Sequence, residues 1–370
     1  MYGYIHGISS SRRLQAEAER NIEVIWLLST LAPSYRVIAD YRKDYPARLA
    51  RVNAAVVRFL IDGGWIDGER VAVDGTKLKA YTGWDMPDEE ALEKRLQKAH
   101  SSLEDWLQLS DPEARPMRAP LGGKPPAYNL QAVVDSAHKM IITASVTNEA
   151  TDFEQLLPMP TATSRRLGTA PKELLADTGY ADLGDIKHIQ TETRTRCYIP
   201  ENDAPVANRN VQFTYEPEVD QYRCSAGRTL APIAKGRYRK DKDAYIDIYR
   251  GTDCAGCPMA DDCTSAADGM RQVSVFHGAP WRHEYARQIG SRYCKARIAE
   301  RKSIVEGVFG TLKYWMGQIP LKLRGLRKVQ TEIDLYAAGY NLKRWFSLGS
   351  FKELMGEIAN WSGSAAAQPT

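Results

Sequence analysis

The spacing of apolar positions changes character along the chain. Up to about residue 66 they recur at helical intervals. LQAEAERNIEVIWLLSTL forms one apolar-periodic helix, Ser34 caps a second short helix through YRVIADYRK, and PARLARVNAAVVRFLIDGGW forms a third that stops at Gly63 and Gly64. From Glu69 the pattern becomes that of strands. RVAVDGTKLKAYT predicts a first strand, and KPPAYNLQAVVDSAHKMIITASVTN predicts two more, joined around Asp135 to Lys139. A helix near Phe153 to Leu157 follows, and then a strand at ELLADTG. The stretch DMPDEEALEKRLQKAHSSLEDWLQLSD interrupts this order as a charged amphipathic helix, with Leu92, Leu96, Leu103 and Leu107 apolar, and reads as a packing or dimerisation arm. The arrangement suits a mixed sheet with helices against it, an α/β class. Near the end TEIDLYAAGYNLKRWF is a packing helix, and WSGSAAAQPT has the composition of a disordered tail.

Against this pattern three acidic residues stand out: Asp74 in RVAVDGTKLKA, Asp177 in KELLADTGY and Glu306 in RKSIVEGVFGTLK. The first two end short apolar runs that read as buried strands, where an ionised carboxylate is costly unless compensated. Gathered carboxylates repel one another unless a hard cation neutralises them, and oxygen ligands on Mg²⁺ or Mn²⁺ supply that. Two such ions can hold the attacking and leaving oxygens of an in-line phosphoryl displacement. Taken singly, Asp-Gly and Asp-Thr-Gly are also ordinary turns after a strand. Glu306 lies beside an apolar helical stripe of Val305, Val308, Phe309, Leu312, Trp315 and Met316, in line with Lys302 and Lys313. Simple pairing of Lys302 with Glu306 on a solvated helix is the alternative there. Asp135 and Asp152 compete for the same roles; the first reads as the start of the hairpin turn DSAHK and the second as a helix N-cap.

Together the three acids and their surroundings resemble the DDE transposases of bacterial insertion sequences, in the branch with a Cys-rich insert before the Glu helix. The resemblance runs from YGYIHGISSSRRL through VDGTKLKA, PEARPM, YNLQAVVD, LLADTGY and CAGCPMADDC to RKSIVEGVFGTLKYWMG. It implies an RNase H-like core with two Mg²⁺, in which Asp74, Asp177 and Glu306 are the catalytic triad. It also implies cleavage of DNA at the terminal inverted repeats, joining of the freed 3′-hydroxyl to target DNA, and a homodimer working on DNA. One signature known from these enzymes is Y-x2-R-x3-E-x6-K. Here Glu306 and Lys313 match it, Lys302 replaces the Arg and Ala299 replaces the Tyr. Family members begin well upstream of the residues matching YGYIHGISSSRRL, so the chain is expected to be N-terminally short. Two other classes fit the same residues: a metal-dependent nuclease of this fold without strand transfer, and a truncated remnant that binds DNA without catalysis.

Sulfur gives a second signal. Cys254, Cys257 and Cys263 form C-x2-C-x5-C, and Cys224 ends the β-like run DQYRC upstream. Four such thiolates can close a tetrahedral Zn²⁺ site that staples a weakly hydrophobic insert, with His277 in reserve; the alternative is four ordinary thiols in a loop-rich segment. An iron–sulfur cluster would use the same ligands but nothing in the chain suggests redox work. Cys197 and Cys294 read as isolated residues.

Charge refines the picture. A net charge of +4 is modest, so polyanion binding must come from local patches. Arg237, Arg239 and Lys240 in KGRYRKDKD mix cations with Tyr238, as a nucleic-acid surface or a solvated hairpin loop would. Arg301, Lys302 and Lys313 crowd the Glu helix, and Lys77 sits near the first Asp as a phosphate contact. With 370 residues and 43% hydrophobic content the chain can bury a large core in two or three units. The division expected is a helical DNA-binding or assembly region at 1–66, a first core segment at 67–202, the Cys-rich insert at 203–276, the rest of the core at 277–350 and a terminal segment at 351–370. No apolar run approaches the roughly 20 residues of a membrane span and the polar start is no signal peptide, so a bacterial cytoplasmic, nucleoid-associated protein is expected.

Overall fold

The computed structural model describes residues 1–80, 111–118, 123–200, 211–239, 244–254, 256–264, 266–277, 285, 287–315 and 321–361. The amphipathic arm after the first strand, the terminal tail and Lys240 lie outside the described residues. The chain divides into two compact units, one of Met1–Ile199 with Ala296–Thr370 and one of Pro200–Lys295.

The first unit opens with helices α1 (Tyr2–Ile5), α2 (Ser11–Arg20), α3 (Ile22–Leu27), α4 (Tyr35–Asp44) and α5 (Pro46–Asp62). The long first helix expected from periodicity is cut at Asn21, whose side chain accepts from the backbone N–H of Glu23 and Val24 and so caps α3 as a separate helix. Ser34 caps α4 as expected, accepting from Val37 N–H. Then come the strands β1 (Arg70–Lys79), β2 (Arg115–Pro116), β3 (Pro126–Asp135) and β4 (Ile141–Thr147). The helix α6 (Pro158–Leu167) leads to β5 (Glu173–Leu175), and α7 (Leu183–Glu192) leads to β6 (Arg196–Tyr198).

These six strands form one mixed sheet in which β6, β5, β1 and β3 are successive neighbours, with β2 and β4 on the other side of β3. β1 is antiparallel to β3 and parallel to β5, and β5 is parallel to β6. β3 is buried along its whole length, which explains its near-continuous apolar run. Asp135 ends it at the hairpin, accepting from the N–H groups of Ala137 and His138.

The edge strand β4 presents backbone groups that must find partners. They find them on the 21-residue helix Leu326–Phe346. Asn341 accepts from Ile141 N–H and donates to Ile141 C=O, both at 2.8 Å, while Gln330 accepts from Val146 N–H at 2.9 Å. This helix is buried through most of its middle and packs on α5 as well as β4.

The second unit contains a five-stranded antiparallel sheet: β7 (Phe213–Glu216), β8 (Gln221–Cys224), β9 (Thr229–Arg239), β10 (Ala244–Gly251) and β11 (Gln272–His277), paired in chain order. The segment KGRYR is therefore strand rather than the loop its charge suggested, because β9 pairs with β10 up to Arg239 and Ala244. One apolar cluster in this unit is Leu230, Tyr249 and Val273, with Phe213, Tyr222, Cys224 and Val275 against it, and Val211, Ile246 and Ile248 are buried as well. Between β10 and β11 lies one short helix, α8 (Ala260–Cys263); the later helices are α9 (Arg292–Gly310), which passes into a π-helical turn at Thr311–Trp315, then α10 (Leu326–Phe346) and α11 (Phe351–Asn360).

Candidate active site

The strand register brings two of the expected acids together. In the parallel pair β1 and β5, Ala72 stands opposite Leu175, so two residues further along each chain lie Asp74 and Asp177. Neighbouring strands run about 4.8 Å apart, which makes the two carboxylates neighbours at the carboxyl end of the parallel pair. Asp74 accepts from Gly75 N–H at 2.9 Å, and Asp177 accepts from Gly179 N–H at 2.8 Å at the start of a single 3₁₀ turn.

A single guanidinium serves both. Arg301 on α9 places one terminal nitrogen 2.8 Å from Asp74 and the other 3.9 Å from Asp177, and its side chain is only 12% exposed. Arg301 lies four residues before Val305 and seven before Val308, so it continues the buried stripe of α9 one turn backwards. That was the sequence signal for its inward direction. Burial raises the Asp74 carboxyl above its usual range; Arg301 pulls it down by less, and Asp177 adds to the rise. Lys313, in the π-helical turn, has its ammonium destabilised by burial and partly restored by the charge of Asp74.

A polar network joins this pair through Tyr180. Asp152 accepts from Asn129 and Gln131 at 2.7 Å each and from Lys77 at 3.2 Å. The Tyr180 hydroxyl donates to the Gln131 side-chain oxygen. Its own ionisation is strongly disfavoured, first by burial and then by Asp152, Asp74 and Asp177. Asp152 stands at the N-terminal position of its 3₁₀ turn, yet its side chain makes no cap. The cap expected from sequence is thus corrected: three side-chain donors from the sheet compete for that carboxylate and win. Gly75 is explained by the same neighbour, since a Cβ there would lie 2.7 Å from the Asp152 carboxylate and would meet the Gln131 amide. Asn129 and Gln131 alternate within an otherwise apolar buried strand, a period-two signal that marks one polar face.

The other expected site residues are placed as follows. Glu306 is exposed on α9. It is five residues beyond Arg301, about 140° around the helix, and among the described residues it forms no hydrogen bond or ion pair with Asp74 or Asp177. Lys302 is exposed beside it, Lys77 is paired with Asp152, and Arg237 is exposed on β9. The side chains of Arg239 and His277 lie outside the described residues.

In the second unit Cys224, Cys254, Cys257 and Cys263 all line one small cavity, together with Phe213, Leu230 and Arg271. All four are free thiols. Burial raises the Cys263 thiol, and the other three cysteines push it the same way, which sets the four within electrostatic reach of one another. Arg228 N–H lies 3.3 Å from the Cys224 sulfur. Among the described residues no three His, Cys, Asp or Glu side chains already stand at metal-binding distances. No described helix is long and apolar enough to cross a membrane.

Residues 223–346 match the family described as Transposase DDE domain, a span that holds the four-cysteine cavity, α9 and α10. The match covers less than half of the chain, leaves Asp74 and Asp177 outside it, and supports a DDE-type transposase enzyme acting on DNA. No curated protein matches. Among solved structures, a piggyBac transposase synaptic complex with hairpin DNA aligns over 100% of this chain and 79% of its own, at 9% identity and a TM-score of 0.23, a likeness on which nothing below rests.

Proposed function

We propose that this DDE-type transposase cuts and joins DNA at the ends of a bacterial insertion sequence, using an RNase H-like core whose metal ligands are Asp74, Asp177 and Glu306. The observation that carries the reading is the pairing of Asp74 with Asp177 on neighbouring parallel strands around one shared cation. The strand arrangement supports the RNase H-like assignment: three antiparallel strands, then two parallel ones added beyond β1, with helices between.

The donor set fits a divalent cation. Two carboxylates meet at the carboxyl ends of strands, around a position that a positive group, the Arg301 guanidinium, already occupies. When bound, Mg²⁺ or Mn²⁺ would activate the attacking oxygen and neutralise charge on the leaving one. The chain's own residues supply the rest. Asp74 and Asp177 would hold the ions and Glu306 would have to turn in from α9 to join them, while Asp152 with Asn129, Gln131 and Tyr180 fixes the sheet end on which the pair stands. Lys313, within the field of Asp74, would hold a phosphate beside the scissile bond as a point charge. Lys77, Arg237, Arg239, Lys240 and Lys302 are the proposed DNA-contacting cations; Arg301, expected among them from the sequence, is instead buried against Asp74 and Asp177. Both the transposon ends and the target DNA would be bound by a homodimer, in the bacterial cytoplasm at the nucleoid.

The four cysteines lining one cavity support a structural Zn²⁺ in the second unit, as a closed four-thiolate site over a small core.

The function is tested with a pre-cut terminal inverted repeat and plasmid target in Mn²⁺. Joined products are expected from the wild type and none from Asp74→Ala. Cleavage without joining would identify a nuclease instead, and DNA binding with wild type and Asp74→Ala equally inactive would identify a non-catalytic remnant.

A further inference from the structure

We propose that Arg301 is the resident counter-cation of the Asp74–Asp177 pair, a positioning residue that holds the two carboxylates assembled and that a divalent cation must displace. The inference rests on the metal-ligand reading above and says what this chain does before metal arrives.

An arginine on a helix surface normally keeps its guanidinium in water. Arg301 does the reverse, whereas Lys302 beside it is exposed. A structural Arg–carboxylate pair favours a two-pronged fork on one acid. Arg301 spans two acids, at 2.8 Å and 3.9 Å. Arg297 on the same helix and Arg70 on β1 also each span two acids, Glu173 and Glu300, but there two cations serve two acids. Those acids are neutralised by their own cations. Asp74 and Asp177 share Arg301.

One guanidinium in contact with two carboxylates, with Lys313 adding only its field at Asp74, leaves the pair short of neutralisation at contact distance, so it still attracts a divalent ion. An ion arriving between them meets Arg301 in its place, and the like charges cannot both stay. Arg301 therefore acts in two opposite ways. Without metal it relieves the repulsion between the acids and stabilises the sheet end. Toward metal it competes, which sets a lower limit on the free cation concentration that loads the site.

The experiment is a Mn²⁺ titration of the full chain without DNA, by calorimetry or Mn²⁺ electron paramagnetic resonance, on wild type, Arg301→Gln, Arg301→Lys and Asp74→Asn. Arg301→Gln is expected to bind Mn²⁺ at least about fivefold more tightly, within the range common for coupled sites. It should melt below wild type in chelator and gain more than wild type from added Mn²⁺. Arg301→Lys, whose compact ammonium cannot span both acids, should fall between them. If Arg301→Gln does not fold, tighter binding by Arg301→Lys is the supporting result and unchanged binding the overturning one. Unchanged or weaker binding by Arg301→Gln, with binding lost in Asp74→Asn, overturns displacement and leaves the metal-ligand reading standing. Binding by Asp74→Asn equal to wild type overturns both.

Discussion

Asp177→Asn is expected to abolish DNA cleavage and strand joining while leaving DNA binding near the wild-type level, and Asp74→Asn to do the same. The amide keeps the shape and the acceptor oxygen of each side chain, so the bonds from Gly179 and Gly75 N–H survive. What is lost is the negative charge that a divalent cation needs. Removing a group that merely supports a metal ligand costs about 10- to 100-fold, so losing a ligand is expected to cost more than about 100-fold. Stability should move little. Asp74 is already penalised by burial, which raises its carboxyl, and neutralising it removes that penalty. The opposing effect is the loss of one partner from Arg301, which keeps the other acid in either single variant. Gel-shift and cleavage assays run side by side read the two properties. Cleavage retained within tenfold by Asp177→Asn would remove that residue from the site.

The second large effect is expected at sulfur. Cys257→Ser, or prolonged treatment of the wild type with a strong chelator, should release Zn²⁺ and unfold the second unit. Among the described residues that unit has one apolar cluster, Leu230, Tyr249 and Val273, and a few further buried apolar side chains such as Val211, Ile246 and Ile248. So small a core supplies little stability by itself. Structural zinc contributes about 10–16 kcal/mol in zinc-finger peptides, and even a fraction of that would decide whether the sheet is formed. The carboxylate pair belongs to the other unit, so Mn²⁺ binding there is expected to survive. Elemental analysis should find one zinc per wild-type chain and less in Cys257→Ser. An unchanged melting curve with no zinc in the wild type would contradict the four-thiolate site.

The layout of the first unit was legible because its elements obey local rules. Ser34 caps α4, Asp135 turns the hairpin, and β1, β3 and β4 carry period-two or fully apolar patterns. Asp74 and Asp177 were legible because a charge at the edge of an apolar run is conspicuous. What the sequence hid depends on partners distant in the chain. Asp152 looked like a cap because its donors, Lys77, Asn129 and Gln131, lie 21 to 75 residues away. The second unit looked loop-rich because its strands are short or densely charged, and KGRYR becomes strand only by pairing with β10. Arg301 was visible as a cation on the Glu helix, but only the fold shows that it faces the acids and that Glu306 is exposed on another face of that helix. Arg301 and Glu306 occupy different faces of one helix that continues into a π-helical turn, an irregularity often found at functional sites.

The central claim is that Asp74 and Asp177 bind the divalent cation that drives the chemistry, and metal-specificity rescue tests it most directly. Asp177→Cys replaces an oxygen ligand by sulfur, which Mg²⁺ tolerates poorly and the softer Mn²⁺ accepts. On DNA carrying the element's terminal repeats, Asp177→Cys is expected to be inactive in Mg²⁺ and to regain cleavage in Mn²⁺, while the wild type works in both. Equal activity of Asp177→Cys in the two metals, or wild-type cleavage that persists in chelator, would contradict it.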